Sequence, residues 1–393
     1  MYLETMAKNP FSPRHPIDPA YFVNREEVLE SFGRSIKRSA KSVPRKPDNI
    51  AVLGGWGIGK TSVLKKFESL AVDEFDDLKA FTAFIELNPS ACQNIEAFIS
   101  RTRDDIQRSF LSELPLIAKI KRELSDWRVK TLDLGIGLER KEKMMESHAT
   151  SLFEEALRDL WRNILEPKDI EAALLMFDDL HYLARNYPGG LYDIRSIFQK
   201  LAMDGCNYML FITGPETLFG EIRDFAEPFT RFFDRFKLDF FNLEETGKAI
   251  QEPLQLSGSG VKADEAVIEN IYDLTQGHPY FIHFIMCDLV DYKGKGRITE
   301  NFFDEHWKKI ARHIEREKFE DDLFSASETE RKALHQIAEL HSDVVAPSEI
   351  RIRGKAEILK RLSEDKGLLI KSGRGEYKLY HPLFKEYLNQ LKS

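Results

Sequence analysis

The chain has 393 residues but only three cysteines, Cys92, Cys206 and Cys287, and no CxxC pair. An odd count without paired spacing excludes a disulfide framework and a cysteine zinc site. Long apolar runs are also missing: no stretch reaches the ~18 residues that a membrane span needs. The N-terminus, MYLETMAKNPFSPRHP, has no apolar core ahead of a small-residue cleavage site. No secretion signal is therefore read there, and a reducing cytoplasm is the expected location. Internal repeats and low-complexity tracts are lacking, which excludes collagen-like, mucin-like and wholly disordered classes. Positive charge is in deficit, with 57 Lys and Arg against 65 Asp and Glu and a net charge of -8. That argues against a protein coated in nucleic acid but leaves room for a local basic face. The ten histidines are scattered without an HExxH, and no GxSxG occurs, so neither a zinc-peptidase helix nor a serine nucleophile elbow is expected.

What is present is ordinary globular composition, 42% hydrophobic and 31% charged, in a length that suits two or three domains. Residues 1–20 carry Pro10, Pro13, Pro16 and Pro19 and read as an extended arm. Residues 25–42 read as a helix, with Val28, Leu29, Phe32 and Ile36 on one face and a basic end formed by Arg34, Lys37, Arg38 and Lys41. Apolar strands are predicted at 49–53, 80–87, 172–177 and 208–213, with a fifth at 236–241. Helical patterns lie between them. Strands alternating with helices predict an α/β fold, a parallel sheet with helices on both faces. Residues 93–165 read as a charged helical insertion, interrupted by a hairpin or loop at 129–138. The division expected is an arm (1–20), an α/β domain (21–242), a helical lid (243–325) and a C-terminal domain (326–393). The last reads as three helices and two strands, a winged-helix pattern.

Between the first strand and the following helix lies Gly54-Gly55-Trp56-Gly57-Ile58-Gly59-Lys60-Thr61, an ungapped GxxxxGK[ST], followed by Ser62. Glycines let backbone N–H groups wrap an anion, and the helix N-terminus adds a positive pole. Lys60 is expected to reach the β- and γ-phosphates and the Thr61 hydroxyl to hold Mg²⁺. The run Leu174-Leu175-Met176-Phe177-Asp178-Asp179 ends an apolar strand in two carboxylates. Buried strands do not end that way without compensation. Asp178 is the expected Mg²⁺ partner and Asp179 the expected base that orients an attacking water.

With these motifs the sequence resembles the AAA+/STAND branch of P-loop ATPases. More narrowly, it is similar to prokaryotic ATPases related to the archaeal replication initiators of the origin-recognition family. Phe22-Val23-Asn24-Arg25-Glu26-Glu27 resembles that family's entry motif near the adenine, with Asn24 where the family has glycine. The resemblance implies a γ-phosphate sensor at Thr213. It also implies an arginine reaching a neighbouring subunit's nucleotide, for which Arg235 fits best and Arg231 is the spare. Gly277-His278-Pro279 is similar to the STAND GxP motif, whose proline lies against the adenine. A proline opening a helix reads equally as an N1 residue. The implied fold is a P-loop NTPase sheet with a helical lid and a C-terminal winged helix. The implied ligands are ATP or ADP with Mg²⁺, and the implied activity is a slow ATPase acting as a molecular switch.

Three partner classes stay open: duplex DNA through the winged helix, a protein partner, or self-association as a signalling or defence scaffold. Residues 326–393 hold 13 Lys and Arg against 10 Asp and Glu, a weak basic excess for DNA. The candidate recognition helix mixes Lys355, Lys360 and Arg361 with Glu357, Glu364 and Asp365, and the wing tip adds Arg374.

Overall fold

The computed structural model describes residues 8–42, 46–73, 78–113, 142–187, 189–222, 229–373 and 375–391. They form two compact units. The first comprises the described parts of Arg25–Gly55 and Gly59–Asp239; the second, those of Met1–Asn24, Trp56–Ile58 and Phe240–Ser393.

The first unit is built on five parallel strands: β1 (Asn49–Leu53), β2 (Ala80–Glu86), β3 (Ala172–Asp178), β4 (Tyr208–Gly214) and β5 (Phe233–Lys237), in the spatial order β2-β3-β4-β1-β5. Every residue of β1, β3 and β4 is buried. That is why these strands read as continuous apolar runs, since helices cover both sheet faces. Asn49 opens β1 and ties it to both neighbours. Its amide donates to the Phe232 carbonyl (3.1 Å) and its oxygen accepts the Leu210 N–H (2.8 Å). The helices include α1 (Glu26–Lys41), α2 (Lys60–Asp73), and the long pair Ile95–Glu113 and Glu142–Leu160. The loop or hairpin expected at 129–138 lies outside the described residues.

One strand differs from the sequence reading. The fifth runs over Phe233–Lys237, not 236–241. Pairing decides this. Asn49 opposes Phe233 and Leu53 opposes Lys237, and Leu238 donates to the Leu53 carbonyl (2.8 Å) as the ladder ends. A five-residue β1 has no partner to offer the aromatic residues beyond it.

The second unit contains helices Leu243–Leu256, Glu265–Thr275, Pro279–Lys293 and Glu300–Ile314. A capping box starts the first: the Glu245 N–H donates to the Asn242 side chain (2.9 Å) and the Asn242 N–H to the Glu245 carboxylate (2.8 Å). A two-stranded parallel ladder, Val261–Ala263 with Gly296–Ile298, was not foreseen; strands of three residues are too short to show a period. The C-terminal segment has helix Glu328–Glu339, a 3₁₀ turn Pro347–Glu349 and helix Lys355–Lys360 continuing through Arg361–Asp365. An antiparallel pair, Leu369–Gly373 with Glu376–Leu379, and a closing helix Pro382–Gln390 follow. Segments 243–325 and 326–393 share one apolar core, which also takes Phe11 from the proline-rich arm. Asn9 secures that arm by donating to the Cys287 carbonyl (2.9 Å) and to Asp291 (2.7 Å). Among the described residues, no helix is long and apolar enough to cross a membrane.

Candidate nucleotide site

The site of the first unit lies where β1, β3 and β4 end together. Because β4 sits between β1 and β3, its penultimate residue can reach the acidic end of β3. Thr213 does so. Its hydroxyl donates to Asp178 Oδ1 (2.5 Å) and accepts the Asp179 backbone N–H (2.7 Å). From the other side the Thr61 hydroxyl donates to Asp178 Oδ2 (2.7 Å). Both Asp178 oxygens are therefore engaged, by two threonines 152 positions apart in the chain.

Lys60 opens α2 and its ammonium donates to the carbonyls of Gly54 (3.1 Å) and Gly55 (2.8 Å). Burial holds its pKa below the ordinary lysine value, while Asp179, Asp178 and Glu216 pull it back up. Asp179 follows β3 in a left-handed conformation, φ +60°, which swings it off the strand path. Its carboxyl is pushed up to about 6, first by burial, then by the neighbouring Asp178 charge, with Lys60 opposing. Beside it, His181 Nδ1 lies 3.5 Å from Asp179 Oδ1. That spacing would suit an ion pair. However, burial, Arg185 and Lys60 hold the imidazole down to about 4, so at neutral pH the ring is uncharged and the contact is polar.

The structure thus brings together Lys60, Thr61, Asp178, Asp179 and Thr213. Glu86, His181 and Glu216 join them and were not foreseen. Glu86 had a readable signal, because strand AFTAFIE ends on a carboxylate and pairs with Asp178 in register. His181 stood two residues beyond the acidic pair. Ser62 lies in the first turn of α2. Arg235 lies within β5, not in a preceding helix, and is exposed, with its guanidinium 5.2 Å from the centre of the Phe219 ring; it is not in the hydrogen-bonded cluster. Arg231 is exposed too. Arg25 caps α1 with φ +69°, next to Asn24 at φ +64°. The left-handed backbone at Asn24 accounts for a glycine-like position, and asparagine tolerates it best among the larger residues.

In the second unit, Pro279 is buried at the first position of its helix, behind a glycine that nothing else could replace. Gly277 has φ +75°, and a Cβ there would lie 1.8 Å from the Phe241 carbonyl oxygen. Trp56, Gly57 and Ile58, the middle of the glycine loop, pack with this unit. Tyr280 lies 4.4 Å from the Trp56 ring centre and the Lys318 ammonium 3.8 Å from it.

The loop fits a phosphate chain. Gly57 and Gly59 take φ of +70° and +96°, and a Cβ at Gly55 or Gly59 would meet nothing within 4 Å. At Gly55 and Gly59 the loop therefore presents bare backbone, the kind of surface that wraps an anion. The Thr61 hydroxyl and the Asp178 carboxylate form a hard oxygen pair of the kind Mg²⁺ takes alongside substrate phosphates.

The KAP family P-loop domain matches residues 26–320. The chain belongs to that family. Among solved structures, this KAP-family chain is similar to a Walker-type ATPase of Pyrococcus abyssi, with a TM-score of 0.58 and 15% identity over 94% of this chain and 99% of that one. It is also similar to the ORC2 protein of Aeropyrum pernix, solved as ADPNP–ADP complexes, with a TM-score of 0.59 and 14% identity over 95% and 96% of the two chains. The ADP form of ORC2 gives a TM-score of 0.53 at 14% identity, over 93% of this chain and 92% of that one. At such identity these likenesses establish the fold, which is that of a P-loop NTPase. No curated protein sequence matches the chain.

Proposed function

We propose that this KAP-family protein is a slow Mg²⁺-dependent ATPase, converting ATP and water to ADP and phosphate, and that its nucleotide state governs engagement of a partner. The observation that carries this reading is the chain Thr61–Asp178–Thr213–Asp179, closed by bonds of 2.7, 2.5 and 2.7 Å beside the Lys60 ammonium. The loop residues Gly54 to Ser62 bind the phosphates, with Lys60 as their fixed positive charge. Thr61 and Asp178 are the residues that hold Mg²⁺, which when bound offsets charge on the phosphate oxygens. Asp179 takes the role of base for the attacking water; a carboxyl raised toward neutrality accepts a proton more readily than an ordinary one. Thr213 is a positioning residue that holds the Asp178 carboxylate and the Asp179 backbone. Arg25 and Pro279 are assigned to the adenine, and Arg235 to the nucleotide of a neighbouring copy, where it would stabilise developing charge.

ATP turnover of the full chain tests this, beside Lys60→Ala and Asp179→Asn. Lys60→Ala is expected to abolish nucleotide binding. Asp179→Asn is expected to bind but turn over slowly, and wild-type turnover in that variant would remove Asp179 from its role. A second reading, a DNA-binding initiator with a C-terminal winged helix, is favoured by the helix and hairpin order of residues 328–390. DNA-stimulated turnover would bring it forward.

A further inference from the structure

On the candidate recognition helix Lys360 and Arg361 face carboxylates, and the half-buried Lys355 reaches the Ile350 carbonyl at 3.4 Å. Arg361 Nε lies 2.9 Å from Glu330, and Lys366 reaches the same carboxylate at 3.5 Å. Lys360 and Lys371 both approach Glu364, at 3.9 and 2.5 Å, and Lys385 pairs with Asp343 at 2.9 Å. A phosphate would have to compete with these carboxylates one by one.

A different surface of the same unit is arranged otherwise. An open groove of about 480 Å³ runs along helix Glu300–Ile314 into the turn that follows it. Lys308, Lys309, Arg312 and Arg316 line it, against one carboxylate, Glu305. All four cations are exposed. Lys308 and Arg312 lie one turn apart on the α-helix, about 6 Å along its axis, and Arg316 follows them in the π-helical segment Glu315–Phe319. Among the described residues Lys308 is in no ion pair. Arg312 feels Glu315, and Arg316 meets Glu317 at 3.4 Å, contacts of the exposed kind that contribute little. Lys309 caps the Tyr292 ring at 3.9 Å, and that ring stacks on His306 at 5.4 Å. His313 closes the wall with its Nδ1 2.7 Å from Asp288. The aromatic ring is thus covered, and the groove offers charge rather than a stacking platform.

We propose that this groove binds the phosphate backbone of a nucleic acid without reading its sequence. Cations strung along one open groove suit a chain of phosphates, whereas a single phosphate group needs donors converging on one point. The site is independent of the P-loop assignment, so Lys60→Ala is expected to keep it.

The test is fluorescence anisotropy of a labelled duplex with the full chain across salt concentrations. Three phosphate contacts predict an affinity loss of roughly 40-fold between about 50 and 200 mM salt. Lys308→Glu/Arg312→Glu is expected to weaken binding at least about tenfold and to lower the salt slope by about two contacts, with basal ATP turnover unchanged. Lys355→Glu/Lys360→Glu, on the candidate recognition helix, is expected to stay within about twofold. Lys308→Gln/Arg312→Gln gives the same direction with less perturbation if the reversal disturbs folding. No binding at low salt would overturn the proposal. So would loss only in the Lys355/Lys360 variant, or full displacement by inorganic triphosphate at equal phosphate concentration, which would mark a compact anion site.

Discussion

Thr213 donates to Asp178 and accepts from the Asp179 backbone N–H, at 2.5 and 2.7 Å. One buried hydroxyl thus holds the carboxylate of Asp178 and the backbone of Asp179, two neighbouring acids that the proposed chemistry uses differently. Thr213→Val keeps the shape and removes both bonds. Hydrogen bonds to charged groups contribute about 1.5–3 kcal/mol, so kcat is expected to fall roughly 10- to 100-fold while ATP binding is retained. Thr213→Ser should recover most of the loss. Steady-state turnover and nucleotide titration of the three proteins decide it; equal loss in Val and Ser variants would point to packing instead.

Gly277→Ala should destabilise the second unit by about 3 kcal/mol or more, because a φ of +75° and a Cβ 1.8 Å from the Phe241 oxygen cannot both be accommodated. For a unit of this size that is roughly 6–12 °C in Tm. Differential scanning calorimetry reads it directly.

Asn49→Leu is expected to cost about 1–3 kcal/mol. It leaves the Leu210 N–H and the Phe232 carbonyl without the side chain that now satisfies them. The midpoint of urea unfolding should fall, and an unchanged midpoint would mean that water or a shifted strand replaces the amide.

The second unit should lose stability in mild acid. Burial holds His283 and His381 down to about 4, and His278 well below its ordinary value. His381 shows why. Its Nε2 bonds the Thr275 carbonyl (3.0 Å), and its Nδ1 accepts the Leu383 N–H (3.2 Å), a role that only the neutral ring can fill. For His283 and His381 the unfolded chain takes up the proton near pH 6.5 and the folded chain only near 4, so stability falls as pH drops through that window, and His278 acts in the same direction. His283 and His381 each contribute up to about 3 kcal/mol by its lower end. Asp288, whose carboxyl burial raises, acts in the opposite direction. Unfolding measured at pH 7, 5.5 and 4 should show the decline, and His283→Leu should flatten it.

Much of the sheet was legible because its strands are buried on both faces. β1, β3 and β4 appear as unbroken apolar runs, and a run bounded by glycine or a carboxylate has little choice of position. The phosphate loop was legible for a related reason: glycines followed by Lys60 and Thr61 serve no packing purpose. Arg235 could not be placed, because β5 is an edge strand whose limits come from its partner β1 and not from its own aromatic pattern.

Local chemistry alone therefore marked the glycine loop with its Lys60-Thr61 pair and the strand that ends in carboxylates, since both are written in contiguous residues. Tertiary structure decided the rest. It put β4 between β1 and β3, so that Thr213 meets Asp178 across 35 residues of chain. It also placed Glu330 and Glu364 where they occupy the C-terminal cations, and left the row from Lys308 to Arg316 exposed. Strand order and pairs such as Glu330–Arg361 are long-range contacts, and no short window of sequence contains both partners.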